Sequence, residues 1–550
     1  MKVLILGGYG VFGGRLAEML SDIDGLELLI CGRNAERAET FCTSIKSVAN
    51  LRPFQLDRKD IGVALKSEMP DIVVDASGPF QDYGDARYTV IENCIACGVN
   101  YLDLADAADF VFGVSQFDEA AREADVFLLS GVSSYPVLSG AVLHALSKDM
   151  TVQRVKGGVA PSPHAGIGLN VMRAILSYAG TDIKLQRNGK QTTATALAET
   201  MRYTIAVPGK LPLANRHFSL VDVPDLQTNP VKYKDLQDIW MGAGPLPEVL
   251  HRGLNVYARL RQPLRLPSLV RFAGLFHKVL NLAKFGEHRG GMFVEASGLQ
   301  NGRKIVRTWH MLAEGDTGPY IPSMAAEAIV RKCFNGDLPI SGARAGELKL
   351  KDYEPGFQKR AICTGFRFEP SLNQPLYRRV LGSAFEDLPP QVQAIHDGLE
   401  PRKWSGVAEV KRGSGILARG IAKVIGFPKS ASSMPVHVEM ICRDGGELWL
   451  RNFDGQKFSS FQSAGEGRAQ HLLNERFGLI TVALALVIEE ERMFLIPRRW
   501  SLLGLPLPKF LLPKGRSFET QKDGQFCFDV EIAAPLIGLI VSYRGLLEPQ

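Results

Sequence analysis

An apolar run, Val3 to Leu6, breaks into glycines at 7, 8, 10 and 13, and Arg15 to Leu20 then resumes with helical spacing. Strand, tight turn and helix are the elements this pattern predicts. The alternation continues with a strand over Leu26 to Cys31, a helix over Ala35 to Ile45, a short strand over Arg52 to Leu56, a helix over Asp60 to Glu68 and a buried strand over Asp71 to Ala76. A helix over Arg87 to Cys97, a strand ending at Tyr101 to Leu104 and another over Val126 to Gly131 extend the series. Strands and helices in regular alternation predict an α/β unit with a doubly wound parallel sheet.

The pattern changes after that. Arg154 to Ala160 alternates as a strand, Gly166 to Tyr178 reads as a glycine-opened helix, and Met201 to Val207 and Met292 to Ser297 again read as strands. Lys304 to Met311 pairs with the last of these across the turn Gln300-Asn301-Gly302. Residues 346–375 are charged and turn-forming and read as a linker. Residues 376–550 form a separate α+β unit: helices over Leu376 to Phe385 and through His396, then strands. Val436 to Arg443 and Glu447 to Asn452 make a hairpin around Asp444-Gly445-Gly446, and Phe526 to Ile532 alternates, so the sheet there is antiparallel.

Composition places bounds on these units. At 550 residues, 45% of them apolar and 22% charged, the chain is too long for one core and long enough for three or four domains. No run approaches a membrane-spanning length and the N-terminus enters a strand directly, so a cytoplasmic location is expected. Eight scattered cysteines make no disulfide framework. Cys94-x-x-Cys97 falls at the end of a helical run, where no helix N-terminus lowers a thiol pKa, and no second pair completes a zinc site, so no metal is expected. A net charge of +6 gives a nucleic-acid role little support. From Val249 to Gly286, however, no acidic residue occurs, while Arg252, Arg259, Arg261, Arg265, Arg271, Lys278 and Lys284 alternate with apolar residues. This stretch reads either as a peripheral membrane or lipid contact or as a helical arm packed on its own protein. Phe494 to Lys514 reads either as a second lipid-facing surface or as a covered edge.

The candidate chemistry begins at the first turn. Gly8-x-Gly10-x-x-Gly13 matches the dinucleotide fingerprint, with Gly7, Val11 and Phe12 completing the loop and the following helix offering its N-terminus to a diphosphate. After the second strand stands Cys31-Gly32-Arg33-Asn34, with no carboxylate before Glu36. An acidic residue there would hold the ribose hydroxyl of NAD, whereas Arg33 suits the 2′-phosphate, so NADP(H) is preferred over NAD(H). Asn34, Asp57 and the loop Ser77-Gly78-Pro79 complete the cofactor set, Gly78 allowing close approach of the nicotinamide half. Tyr83, Ser133, Ser134 and Tyr135 are proton-donor candidates, of which Tyr83, Ser134 and Tyr135 are favoured, with Asp103 and Asp106 as orienters. His164, in the loop Pro161 to Gly168, is either a rest for a substrate anion or an exposed loop histidine.

The segments GGYGVFGGR, VVDASGPF, YTVIENCIACGVNYLDLAD and LLSGVSSYPVLSG together resemble the saccharopine dehydrogenase-like NAD(P)-binding oxidoreductases, a group that includes saccharopine reductase and the lipid-acting trans-acting enoyl reductases. Residues 295–344 resemble that family's final hairpin and returning helix, so the likeness covers about residues 1–345. It implies a Rossmann domain over 1–135, a substrate and dimerisation domain over 136–317, a helix returning to the first domain over 318–345, and a homodimer. Where an amino-acid-binding Gly-Asp-Pro-Gly type of loop is expected the chain has Gly131-Val-Ser-Ser-Tyr135-Pro136, which departs from the saccharopine reductase pattern. The tail, with Trp449-x-Arg451-x-Phe453 and Glu475-Arg476-Phe477-Gly478, resembles a bacterial C-terminal domain of unknown function, in which Trp449, Arg451 and Glu475 either line a pocket or pack. Three functional readings follow: an NADP(H)-dependent oxidoreductase of an apolar or lipid-like small molecule, an amino-acid or imine oxidoreductase of the saccharopine reductase type, or a catalytically inactive nucleotide-sensing protein.

Overall fold

Val3, Leu29, Val73 and Leu128 are fully buried, as strands covered on both faces of a parallel sheet require. They belong to a computed structural model that describes residues 1–80, 83–166, 168–282, 284–369 and 373–550. The chain divides into two compact units, Met1–Met201 with His217–Cys363, and Arg202–Arg216 with Thr364–Gln550.

The first unit begins with β1 (Lys2–Leu6), α1 (Gly13–Leu20), β2 (Glu27–Gly32), α2 (Ala35–Ser44), β3 (Asn50–Gln55), α3 (Ile61–Glu68), β4 (Ile72–Asp75), α4 (Thr89–Cys97) and β5 (Asn100–Asp103). The short α5 (Ala108–Gly113) and α6 (Asp118–Glu123) lead to β6 (Phe127–Ser130) and α7 (Ser139–Leu146). A second layer holds β7 (Thr151–Ala160), α8 (Leu169–Tyr178), β8 (Asp182–Arg187), β9 (Lys190–Thr195), β10 (Thr200–Tyr203), β11 (Arg216–Leu220), α9 (Asp225–Lys232) and β12 (Asp238–Ala243). After α10 (Glu248–Arg261) and α11 (Ala273–Leu282) come the hairpin β13 (Arg289–Gln300) and β14 (Arg303–Glu314), then α12 (Ile321–Phe334), β15 (Gly342–Ala345) and α13 (Glu354–Gln358), after which β16 (Ile362–Phe368) carries the chain into the second unit.

The first sheet runs β15-β6-β5-β4-β1-β2-β3, and its pairings are parallel. It is the expected Rossmann sheet with one addition, β15, which α12 delivers beside β6. In the second sheet β11-β12-β7-β13-β14 are neighbours, with β12 parallel to β7 and the other pairs antiparallel. The β13–β14 hairpin turns at Asn301 and Gly302, with φ of 49° and 77°, the left-handed pair that a type I′ turn needs.

Three expectations change. Residues 346–375 are not a plain linker, because Leu348, Tyr353 and Phe357 are 7%, 1% and 5% exposed and anchor the segment that leads into α13 and β16; residues 370–372 of this stretch lie outside the described residues. The strand expected over Met201 to Val207 ends at Tyr203. The glycine-opened helix starts at Leu169 with Gly168 as N-cap, and Ile167 lies outside the described residues.

The second unit has α14 (Leu376–Leu381), α15 (Pro390–His396), β17 (Arg402–Arg412), α16 (Ile416–Ile425), β18 (Ala431–Arg443), β19 (Gly446–Phe453), β20 (Gln456–Ala464), β21 (Leu473–Phe477), β22 (Ile480–Glu489), β23 (Arg492–Leu502), β24 (Leu505–Pro506), β25 (Phe518–Lys522), β26 (Gln525–Ala534) and β27 (Gly538–Pro549). Its strands pair antiparallel in the order β22-β21-β20-β19-β18-β17-β27-β26-β25-β23-β24. An additional β22–β23 pairing closes the sheet into a barrel, removing the open edges that an antiparallel sheet otherwise presents. Tyr377, Phe385, Val392 and Ile395 from the helices share its core with Trp404, Met440 and Phe526. Trp449 packs there, 4% exposed, donating its Nε1–H to Glu447 at 3.1 Å, while Arg451 pairs with Glu475 at 3.3 Å. These residues therefore fill one another's space. Among the described residues no helix is long and apolar enough to cross a membrane.

Candidate functional site

β1 ends against a turn whose geometry only glycine permits. Gly7 has φ of +71°, and a Cβ there would stand 2.8 Å from the Ala76 carbonyl oxygen. At Gly13 an added Cβ would stand 2.4 Å from the Gly7 oxygen. The two positions let α1 close down on the turn, and Gly7, Gly10, Val11 and Phe12 then line a cleft of about 1120 Å³, large enough for a dinucleotide and a small substrate. Gly8 and Gly13 do not line it. Gly8 instead donates its N–H to Cys31 O at 2.9 Å and packs on β2, so the left-handed residue of the turn is Gly7, one place before the expected start of the fingerprint. No side chain caps α1 and its first turn holds no acid, which leaves the positive end of the helix facing an anion.

Arg33 lines the cleft together with Arg37, whose guanidinium lies 5.2 Å from the Tyr9 ring centre. Asn34 does not: its side chain caps α2 by accepting the Arg37 N–H at 2.8 Å, and its own N–H donates to the Tyr9 hydroxyl at 3.0 Å. Its side chain is thus taken up by the cap of α2. Asp57, Ser77, Gly78 and Pro79 line the same cleft, with Asp57 accepting the Lys59 N–H at 3.2 Å. Asn170 of α8 donates to Gly78 O at 2.7 Å and so ties the helix to the loop after β4.

Tyr83, Ser133, Ser134 and Tyr135 reach the cleft as well. The Tyr83 hydroxyl is 2.8 Å from Ser77 Oγ, and burial together with the Asp75 charge raises its pKa above the ordinary phenol value. Tyr135 donates to Gly242 O over a long 3.5 Å, and burial holds its pKa well up. Asp106 lines the cleft, but Asp103 is fully buried and accepts N–H groups from Ala105 and Gly131 at 2.9 Å each; burial outweighs those bonds and pushes it up to about 7. It braces the strand ends and does not face a substrate. His164 likewise stays outside the cleft, stacked on His288 at 3.6 Å with Nε2 3.1 Å from Gly286 O.

Residues 3–129 match the family model of the saccharopine dehydrogenase NADP binding domain. Over that segment the chain is similar to this NADP-binding domain. NADP(H) is its cofactor, and the chain is an NAD(P)-dependent oxidoreductase. Residues 388–547 match a domain of unknown function, DUF4166. No curated protein sequence matches the chain. Among solved structures, a Clostridium tetani meso-dapdh mutant with DAP is 15% identical, covering 64% of this chain and 94% of that one, with a TM-score of 0.32. An amine dehydrogenase from Mycobacterium smegmatis is 11% identical over 64% and 95% at 0.32, and an engineered D-amino acid dehydrogenase bound to NADP+ is 13% identical over 64% and 93% at 0.32. At these scores the likeness is distant.

The NADP-binding domain fits its cofactor on its own geometry: a glycine cradle that any Cβ would fill, an uncapped helix end, and Arg33 and Arg37 where a 2′-phosphate needs cations. Sequence reasoning did not single out Arg37, although it lies one helical turn after Arg33. It also missed Asn170, Arg173, Tyr178 and Asp222, which the second layer brings to the cleft from outside any motif. Asp222 is pushed up to about 6, first by burial and then by the charges of Asp109 and Asp106.

Proposed function

We propose that the protein transfers hydride between NADP(H) and an apolar or lipid-like small molecule. The observation that carries this is the apolar lining of the cleft. Leu104, Val159, Val171, Ile175, Val221 and Val223 are among the residues that line it; of its guanidiniums among the described residues, Arg33, Arg37 and Arg58 come from the connections of the first sheet and Arg173 from α8. An amino-acid substrate would call for paired arginines on its carboxylates. Apolar walls instead favour a hydrocarbon and exclude water from the reacting carbon.

The bound nicotinamide supplies the hydride. The chain's own part is to hold the acceptor and to deliver one proton. Tyr135 and Ser134 are the donors we favour, since the Tyr83 hydroxyl is held by Ser77 at 2.8 Å whereas the Tyr135 contact with Gly242 O is a long 3.5 Å. Asp222, protonated over part of the neutral range, is the group we assign to exchange that proton with solvent.

The test is NADPH oxidation with enones and ketones of increasing chain length beside keto acids and imino acids, together with mass spectrometry of any small molecule that co-purifies. Rising kcat/KM with chain length supports the reading. Turnover confined to carboxylate-bearing substrates would replace it with the saccharopine reductase type, and tight NADPH binding without turnover on any substrate would replace it with nucleotide sensing.

A further inference from the structure

α11 is apolar on two sides. Ala273, Phe276 and Leu280 pack with Met172 and Leu176 of α8, the face that a helix of a globular protein buries. On another side Phe272, Leu275, Val279 and Leu282 recur three and four residues apart and are 40%, 61%, 40% and 84% exposed. An unbroken exposed apolar stripe marks a surface that something covers. Its charge says what. Arg271 and Lys278 are exposed beside it, among the described residues neither has a carboxylate partner, and no acidic residue occurs from Val249 to Gly286.

We propose that this side of α11 docks on an anionic phospholipid bilayer, the apolar stripe entering between acyl chains while Arg271 and Lys278 meet lipid phosphates. A second copy of the chain suits the stripe poorly, because an isologous contact sets one acid-free basic strip against another. α8, on which α11 packs, presents Val171, Ile175 and Tyr178 to the cleft by its other side. The docked helix therefore backs directly onto a wall of the cofactor cleft. The docking face stands whatever the substrate.

The experiment is sedimentation of the full-length protein with vesicles of phosphatidylcholine alone and of phosphatidylcholine mixed with phosphatidylglycerol. Binding is expected to the anionic vesicles and to weaken as salt screens the cations. Leu275→Glu with Leu282→Glu is expected to lower partitioning about tenfold or more, with the circular dichroism spectrum and NADPH affinity unchanged. Arg271→Glu with Lys278→Glu, changes confined to exposed side chains, is expected to abolish the preference for anionic lipid. Wild-type protein that ignores anionic vesicles, or variants that bind them as the wild type does, would overturn the proposal. A wild type that ignores vesicles and is an oligomer which the leucine variant dissociates would overturn it in favour of a second copy. NADPH-dependent turnover without vesicle binding sinks the docking face and leaves the reductase reading intact, whereas vesicle binding without turnover does the reverse.

Discussion

The Arg58 guanidinium carbon lies 3.8 Å from the centre of the Tyr83 ring, and its Nε stands 3.3 Å from the fully buried Asp75 carboxylate. Asp75 in turn accepts the Ser77 N–H and hydroxyl at 3.0 and 2.5 Å. These side chains hold the loop after β4 in the shape that faces the cofactor. Arg58→Ala leaves the Asp75 charge buried without its cation, and a loss of about 3–5 kcal/mol is expected in urea denaturation, together with weaker NADPH binding. Unchanged stability would show that the network does not carry the loop.

Arg33 and Arg37 both line the cleft, and we assign them to the 2′-phosphate. Each replaced by alanine is expected to weaken NADPH binding about tenfold while NADH binding stays constant, and Arg33→Asp is expected to narrow the preference further. Fluorescence titration with the two cofactors measures this. A preserved NADPH-to-NADH ratio in all three variants would remove the assignment.

Gly13→Ala places a methyl group 2.4 Å from the Gly7 oxygen. Neither backbone can yield without opening the turn against α1, so a destabilisation of about 1–3 kcal/mol is expected, with a larger fractional loss in NADPH affinity than in stability. A variant that binds NADPH normally would show that the turn and the helix separate more readily than their packing implies.

Asp225 is fully buried, accepts the Ser139 hydroxyl, and is pushed up to about 7 because burial outweighs that bond. Its folded pKa lies above its unfolded value near ~4, so the folded chain holds a proton that the unfolded chain releases. The associated stability is complete below about pH 4 and is lost as pH rises toward 7. Asp225→Asn should flatten part of that decline, gaining on the order of 3 kcal/mol over the parent between the two ends, as read by urea denaturation at both. Asp103 shares the direction, so a residual slope is expected. A parent protein equally stable at both ends would contradict the buried, protonated carboxyls.

Asp222 titrates near the same range from inside the cleft, up to about 6. If it relays the proton, NADPH-dependent reduction falls as pH rises through that value, and Asp222→Asn removes this limb of the pH profile while lowering kcat more than it changes KM. An unshifted profile in the variant would place the proton elsewhere, with Tyr135→Phe as the next variant to read.

The nucleotide-binding half was legible because its elements are local. β1, β2, β4 and β6 of the first sheet are short apolar runs bounded by turn residues, whereas β3 and β15 are not, and the glycine turn announces itself within a dozen residues. The hairpins at Asn301-Gly302 and Asp444-Gly445 were legible for the same reason: left-handed turns restrict residue choice on the spot. The stretch 346–375 was misread because its charged composition hid the few side chains, Tyr353 above all, that bury. That Asn34 caps α2 was not legible, because a cap and a ligand draw on the same residue types.

By itself the sequence determined that a parallel α/β sheet opens the chain, and its glycine turn, with an arginine in place of a carboxylate after the second strand, led to the expectation of NADP(H). Periodicity and turn chemistry act over a few residues, so they are written where they operate. Only the tertiary structure decided that Asp222, Arg173 and Asn170 meet that turn across one cleft, that a single β22–β23 pairing closes the tail into a barrel, and that α11 keeps an apolar side uncovered. Each depends on residues far apart along the chain, which packing alone brings together.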